Sequence, residues 1–271
     1  MQTLDLIGAE DGIEFGYGVR LDARLEGSSG PLALVLPGSE RSSEDAVFIE
    51  ALAAHFTVVA PSHPGFGLSP RPEWCASVSD IADIYLDWLE ASGHTDVILI
   101  GLQFGGWVAL EMATRSRSRI AQLVLVDSFG VKLGSPTDRN FADVFATPHD
   151  QLENLIYADQ AFALGELGGA PENTVLEMAR NDEALAIYGW EPYLYNRRLG
   201  QTIDRIAVPT LVVWGAEDGI ASLTTGAAWQ PTCRTPGSSR SSKRGIGLKS
   251  NDPTGSPSSF SRPRADGNHR A

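Results

Sequence analysis

The chain reads as an α/β protein with a mostly parallel sheet flanked by helices and a helical segment inserted late in the sequence. Two observations predict this. Short β-branched apolar runs alternate with helical periodicity through the first half, which is the pattern of repeated βαβ units with right-handed crossovers. That rhythm then breaks over residues 131–205, where helical composition continues without strand signals, and a strand pattern returns at Val208.

Taken in order, Tyr17–Arg24 and Leu32–Leu36 read as strands, and Ser43–His55 as a helix with Ser43 as N-cap. Phe56–Ala60, apolar apart from Thr57, reads as a buried strand of the kind parallel sheets use. Ser77–Ser92 carries Ile81, Ile84, Tyr85, Trp88 and Leu89 at helical spacing. The strand 96–101, the helix 104–116 and the strand Ala121–Val126 complete the series. In the inserted segment, Leu152, Leu155 and Ile156, then Leu176, Met178 and Ala179, then Tyr188, Trp190 and Tyr193, mark helices. Val208–Gly215 is the last strand-like run, and periodicity ends after Leu223.

Length and composition fit one α/β domain with an insertion: 271 residues can bury a full core. No apolar run approaches the roughly eighteen residues of a membrane span, and the N-terminus lacks signal-peptide regions. Cys75 and Cys233 form neither a disulfide framework nor a metal-ligand spacing, so a cytoplasmic protein is expected. The net charge of −13 is unevenly spread. The body is acidic, which argues against nucleic acid as a partner. Residues 231–271 are basic, with Arg234, Arg240, Lys243, Arg244, Lys249, Arg262, Arg264 and Arg270 against Asp252 and Asp266. That stretch has too few large apolar residues to pack a core.

The most informative motif is Gly101-Leu-Gln103-Phe-Gly105-Gly106. It has the frame of a nucleophile elbow, G-x-S-x-G, in which a strand turns sharply into a helix, but glutamine stands where serine belongs. Gly105 and Gly106 allow the helix to start close to neighbouring backbone. A primary amide has no proton ionisable near neutral pH and is not activated as a hydroxyl is.

With three further motifs this sequence resembles the α/β-hydrolase superfamily from about Gly18 to Ile220. Leu36-Pro-Gly-Ser39 stands where the family has a His-Gly oxyanion turn, with Pro37 in place of the histidine. Pro61-Ser-His-Pro-Gly65-Phe-Gly67-Leu-Ser69 looks like its Gly-rich loop, and Val212-Val-Trp-Gly-Ala-Glu-Asp218 like the strand and loop that carry the triad acid. The resemblance implies a serine attacking a carbonyl, a histidine taking its proton, an acid orienting that histidine, and two backbone N–H groups holding the oxyanion. Carried over residue by residue, it assigns Gln103 to the nucleophile position, Asp218 to the acid, and the N–H groups of Ser39 and Phe104 to the oxyanion hole. Asp127 is an alternative acid or a loop-capping aspartate.

The histidine expected in a Gly-His turn near the C-terminus is missing. His269 reads as a terminal surface residue, His55 and His63 flank the strand 56–60, His94 sits in a turn and His149 in the inserted segment. Of these, His63 either faces the site or has a structural role. The basic tail looks like a reading-frame artefact: Gly245–Asn251, written with plausible codons and read one phase over, gives His-Trp-Pro-Gln-Val-Glu, similar to the family's histidine turn. The alternative is a genuine disordered tail.

The expected organisation is therefore a core over 1–130, a helical cap over 131–205, the last core strand and acid loop over 206–222, and a disordered or frame-shifted tail over 223–271. Three functions are open. The first is a relative of carboxylic-ester or C–C bond hydrolases of small carbonyl compounds, impaired by the loss of serine and histidine. The second is a non-hydrolytic lyase, isomerase or cofactor-free oxygenase; the third is a ligand-binding pseudoenzyme. No metal, nucleotide or flavin is expected, since neither Gly-rich segment has dinucleotide spacing. Phe162, Leu164, Trp190, Tyr193 and Tyr195 suggest an apolar or aromatic ligand, or else simply pack the cap.

Overall fold

The computed structural model describes residues 12–39, 43–116, 118–132, 134–135, 138–160 and 169–221. Its centre is a six-stranded sheet built from β3 (Ala23–Glu26), β4 (Leu32–Leu36), β5 (Thr57–Pro61), β6 (Val97–Leu102), β7 (Ile120–Val126) and β8 (Thr210–Val213). The order is β3-β5-β4-β6-β7-β8; β3 runs antiparallel to β5 and every other neighbouring pair is parallel. A short antiparallel ribbon, β1 (Ile13–Glu14) with β2 (Arg20–Leu21), stands apart from it.

The strand expected over Tyr17–Arg24 is broken in two. Gly16–Gly18 form a 3-10 turn in which Tyr17 has φ 58°, and an aromatic residue in the left-handed region ends strand geometry before Arg20. The other expected core elements are present with shifts of one or two residues. They are α1 (Ser43–Ala53), β5, α2 (Val78–Ala91), β6, α3 (Gln103–Arg115) and β7. The Ser43 cap expectation lies outside the described side chains. Between β7 and β8 the described elements are helical: α4 (His149–Ile156), α5 (Glu172–Gly189) and α6 (Leu199–Thr202).

Two layers cover the sheet because its strands are apolar on both faces. On one face α1 packs Ile49 and Leu52 against Ala33, Val35, Val58 and Ile100. On the other, α2 and α3 bury Ile81, Ile84, Tyr85, Leu89, Val108 and Leu110 against Leu34, Leu36, Leu99 and Leu123. Helix α2 starts with a reciprocal capping box. The Ser77 hydroxyl accepts the Asp80 N–H (3.2 Å), and the Asp80 carboxylate accepts the Ser77 N–H (2.9 Å).

The register places the site. Leu36 pairs with Gly101, Leu102 with Val126, and Val126 with Val213. The residues that leave β4, β6, β7 and β8 at their carboxyl ends therefore emerge along one edge of the sheet. From β4 the chain crosses outward to β5 and then back to β6, so the strand order reverses direction at that point. Open α/β sheets place ligands outside the carboxyl ends of their strands at such a reversal.

Candidate functional site

Gln103 occupies the apex of the turn from β6 to α3 with φ 45°, a left-handed conformation that costs a non-glycine residue of order 1 kcal/mol. The turn is possible because the helix behind it lies almost on the sheet. A Cβ on Gly105 would stand 2.1 Å from the Leu36 carbonyl oxygen, and one on Gly106 2.4 Å from Ser128 Oγ. The side chain of Gln103 is 8% exposed and lies over the β4 turn, where a Cβ on Gly38 would meet its Oε1 at 2.3 Å. Gly38 and Gln103 are thus neighbours in space, with Ser39 and Phe104 next to them in the chain. The first-turn N–H groups of α3 have no intrahelical acceptor and leave a local positive potential there.

The loop after β5 closes one side. His63 is fully buried; its Nε2 lies 3.1 Å from the Pro37 carbonyl oxygen and its Nδ1 2.9 Å from Tyr85 Oη. Both ring nitrogens are therefore engaged, which removes His63 as a free base for residue 103. Phe66, Phe104, Trp107 and Tyr188 form an aromatic wall beside the apex, with Phe66–Phe104 at 5.0 Å and Phe104–Tyr188 at 5.9 Å between centroids. The Trp107 Nε1 donor, one helical turn beyond Gln103, is buried without a partner.

Two buried aspartates lie beyond the carboxyl ends of β7 and β8. Asp127 follows β7 directly with φ 49° and is 1% exposed; its Oδ1 accepts the Gly215 N–H at 2.7 Å. Asp218, 7% exposed, accepts the N–H groups of Ile220 (2.8 Å) and Ala221 (2.9 Å) on its Oδ1. The Oδ2 atoms of both are buried and unpartnered. Burial, reinforced by the charge of Asp218, holds the Asp127 carboxyl well above the usual carboxylate range, with the Gly215 N–H opposing. Burial also raises Asp218, and its two backbone donors pull the other way. Sequence reasoning weighed Asp127 against Asp218 as alternatives. The fold instead ties both to the single turn 215–221.

The remaining histidines sit elsewhere. His149 begins α4, 3.5 Å from Glu153, His94 packs against Trp88, and His55 lies in the turn after α1. His269, Phe162, Leu164 and the tail lie outside the described residues. Trp190 is 63% exposed and packs on Phe145, while the Tyr193 hydroxyl is bonded to Ala142 and Val144. Those aromatics stabilise the segment between β7 and β8; the rings beside the apex are Phe66, Phe104, Trp107 and Tyr188. Among the described residues no cluster of three or more metal-ligating side chains occurs, and no helix is long and apolar enough to cross a membrane.

A family model described as alpha/beta hydrolase fold matches residues 34–188, from β4 through most of α5. The chain belongs to the α/β-hydrolase family. Its similarity to solved α/β-hydrolase structures covers most of the chain. A hydrolase from Oleispira antarctica has a TM-score of 0.68 at 17% identity, covering 88% of this chain and 93% of that one. A meta-cleavage product hydrolase gives 0.67 at 18% identity, with 88% and 92% covered. The enol-lactonase from Burkholderia xenovorans gives 0.65 at 17% identity, with 86% and 92% covered. These likenesses show the fold.

Curated relatives match over shorter stretches. The chain is 35% identical over 86 residues to an Arabidopsis thaliana 1-acylglycerol-3-phosphate O-acyltransferase, covering 30% of this chain and 21% of that protein. It is 32% identical over 123 residues to the 2-hydroxymuconate semialdehyde hydrolase of a Pseudomonas species, with 42% of each covered. The chain spans between about a fifth and about half of the length of such relatives.

Proposed function

We propose that this chain is an α/β-hydrolase-family protein related to carboxylic-ester or C–C bond hydrolases of small carbonyl compounds, which binds such a compound but does not form an acyl-enzyme. The observation that carries the reading is Gln103 at the apex of an otherwise complete elbow. In this reading the N–H groups of Ser39 and Phe104 receive the ligand's carbonyl oxygen, and the wall of Phe66, Phe104, Trp107 and Tyr188 takes its apolar or aromatic part. Residues 131–205 act as a cap over a core formed by 1–130 and 206–222. Asp218 occupies the acid position. With no hydroxyl or thiol at residue 103 there is nothing to attack the carbonyl carbon, so the acyl intermediate on which hydrolysis depends does not form. Such a protein acts on or binds small molecules and needs no metal, nucleotide or flavin for this role.

One observation supports a second reading. The Gln103 amide lies over Gly38 with its Oε1 nearest. Its Nε2 is a hydrogen-bond donor, and donation to a bound carbonyl would polarise it, which suits a non-hydrolytic lyase or isomerase.

The test is p-nitrophenyl acetate treatment of the native chain and of Gln103→Cys, whose thiol needs less activation than a hydroxyl. The native chain is expected to match buffer, and Gln103→Cys to release p-nitrophenol in a burst as the thiol is acetylated. Turnover by the native chain above the rate of a heat-unfolded sample overturns the proposal.

A further inference from the structure

We infer that His63 is a positioning residue that holds the carbonyl-binding turn Pro37–Ser39 in shape and ties it to α5. The inference rests on the reading of Ser39 and Phe104 as carbonyl donors.

The peptide plane between Pro37 and Gly38 sets the direction of this turn. A trans peptide points its C=O and the following N–H in opposite directions. Fixing the Pro37 carbonyl therefore fixes where the Gly38 N–H points and where the next unit, carrying the Ser39 N–H, begins. Gly38 has no Cβ, so on its side of the plane there is little intrinsic resistance to rotation. Glycine leaves room there for the Gln103 amide, whose Oε1 would stand 2.3 Å from a Cβ. The resistance comes from outside the turn. The Pro37 oxygen is caught between His63 Nε2, at 3.1 Å, and the backbone of α3, close enough that a Cβ on Gly105 would stand 2.4 Å from it.

The partners also settle the ring's tautomer. A backbone carbonyl only accepts, so Nε2 carries the hydrogen and donates to Pro37. Nδ1 then accepts from the Tyr85 hydroxyl at 2.9 Å. Burial holds that phenol well above its ordinary range, so it keeps the proton it donates. The same ring lies edge-on to Phe104 at 5.4 Å, the residue whose N–H is the second donor. His63 thus touches the Pro37 carbonyl of one donor-bearing segment and the Phe104 ring of the other.

The loop that carries His63 is held in turn by α5. Gly67 N–H donates to Asn181 Oδ1 at 2.8 Å, the Tyr188 hydroxyl to the Pro64 carbonyl at 3.0 Å, and Arg180 to the Ser69 carbonyl at 3.2 Å. A displacement of α5 is therefore transmitted through residues 64–69 to His63, and from His63 to the Pro37 carbonyl.

The experiment uses the full chain with NMR detection. Nitrogen-15 shifts of the native His63 ring are expected to report protonation at Nε2; a ring protonated only at Nδ1 overturns the inference whatever the variants do. Backbone relaxation is then compared in native, His63→Leu and His63→Gln proteins, since a glutamine amide can still donate to Pro37. The Leu variant is expected to lose amide order at Gly38 and Ser39 while Leu99 in β6 stays rigid, and the Gln variant to restore it. Benzoate serves as a carbonyl-oxygen probe with an aromatic body. It is expected to bind about tenfold more weakly to His63→Leu than to native protein, as the loss of one buried hydrogen bond permits. Unchanged order at Gly38 and Ser39 in a folded Leu variant refutes the role of His63. Native protein with ordered Gly38 and Ser39 but no benzoate shifts at Ser39 or Phe104 refutes the carbonyl-site reading instead.

Discussion

Replacing Gly105 with alanine tests the closeness of α3 to the sheet, on which the whole site depends. The added Cβ would stand 2.1 Å from the Leu36 oxygen, 2.4 Å from the Leu36 carbonyl carbon and 2.4 Å from the Pro37 oxygen. All three are backbone atoms, two of them within the central strand β4, so no side chain can rotate away. Relief needs a movement of about 1 Å of helix against strand in a core as dense as an organic crystal. Overpacking of this kind costs about 1–3 kcal/mol, with the upper end expected where backbone must move. Alanine returns about 1 kcal/mol through its helix propensity. The net expectation is a loss of about 2 kcal/mol, a substantial part of the 5–15 kcal/mol typical of a domain. Urea unfolding followed by tryptophan fluorescence measures it. Gly169→Ala is the control, since nothing lies within 4 Å of its added Cβ, and it should change stability by less than about 0.5 kcal/mol. A Gly105→Ala protein as stable as native would refute the close approach.

Three further outcomes follow from the same geometry. Asp127 stays protonated in the folded chain up to about pH 8 because of its burial and the charge of Asp218, whereas in the unfolded chain it ionises in the ordinary carboxylate range. The native state therefore holds more protons than the unfolded state in that window, and stability falls as pH rises from about 4 to about 8. Asp127→Asn removes that part of the slope, which urea midpoints at pH 5 and pH 8 would detect. Ser77→Ala removes the α2 cap and should cost about 1 kcal/mol in urea unfolding. Asn181→Ala leaves the buried Gly67 N–H without its acceptor and should cost about 1–3 kcal/mol by the same measurement.

The sheet was legible because parallel strands buried on both faces leave continuous apolar runs, as at 32–36, 58–60 and 97–100. The elbow was legible because a left-handed apex followed by a helix start against backbone demands small residues at fixed offsets from residue 103. What escaped depends on contacts distant in sequence. Asp127 and Asp218 meet through the pairing of β7 with β8, with most of the helical segment between them in the chain. The role of His63 depends on Pro37 and Tyr85, which lie 26 and 22 residues away on separate elements. Tyr17 was placed at the start of a strand, and nothing local announces its positive φ.

Acyl-adduct mapping of residue 103 bears most directly on the central claim. Native chain and Gln103→Cys are exposed to p-nitrophenyl acetate, digested and examined by peptide mass spectrometry. A thiol is intrinsically nucleophilic and needs less activation than a hydroxyl. No turnover and an unmodified Gln103 peptide are expected from the native chain, and an acetylated thiol on the corresponding peptide from Gln103→Cys. Native turnover, or a thiol at position 103 that stays unmodified in a folded variant, would contradict the account of an intact elbow that lacks only its reactive atom.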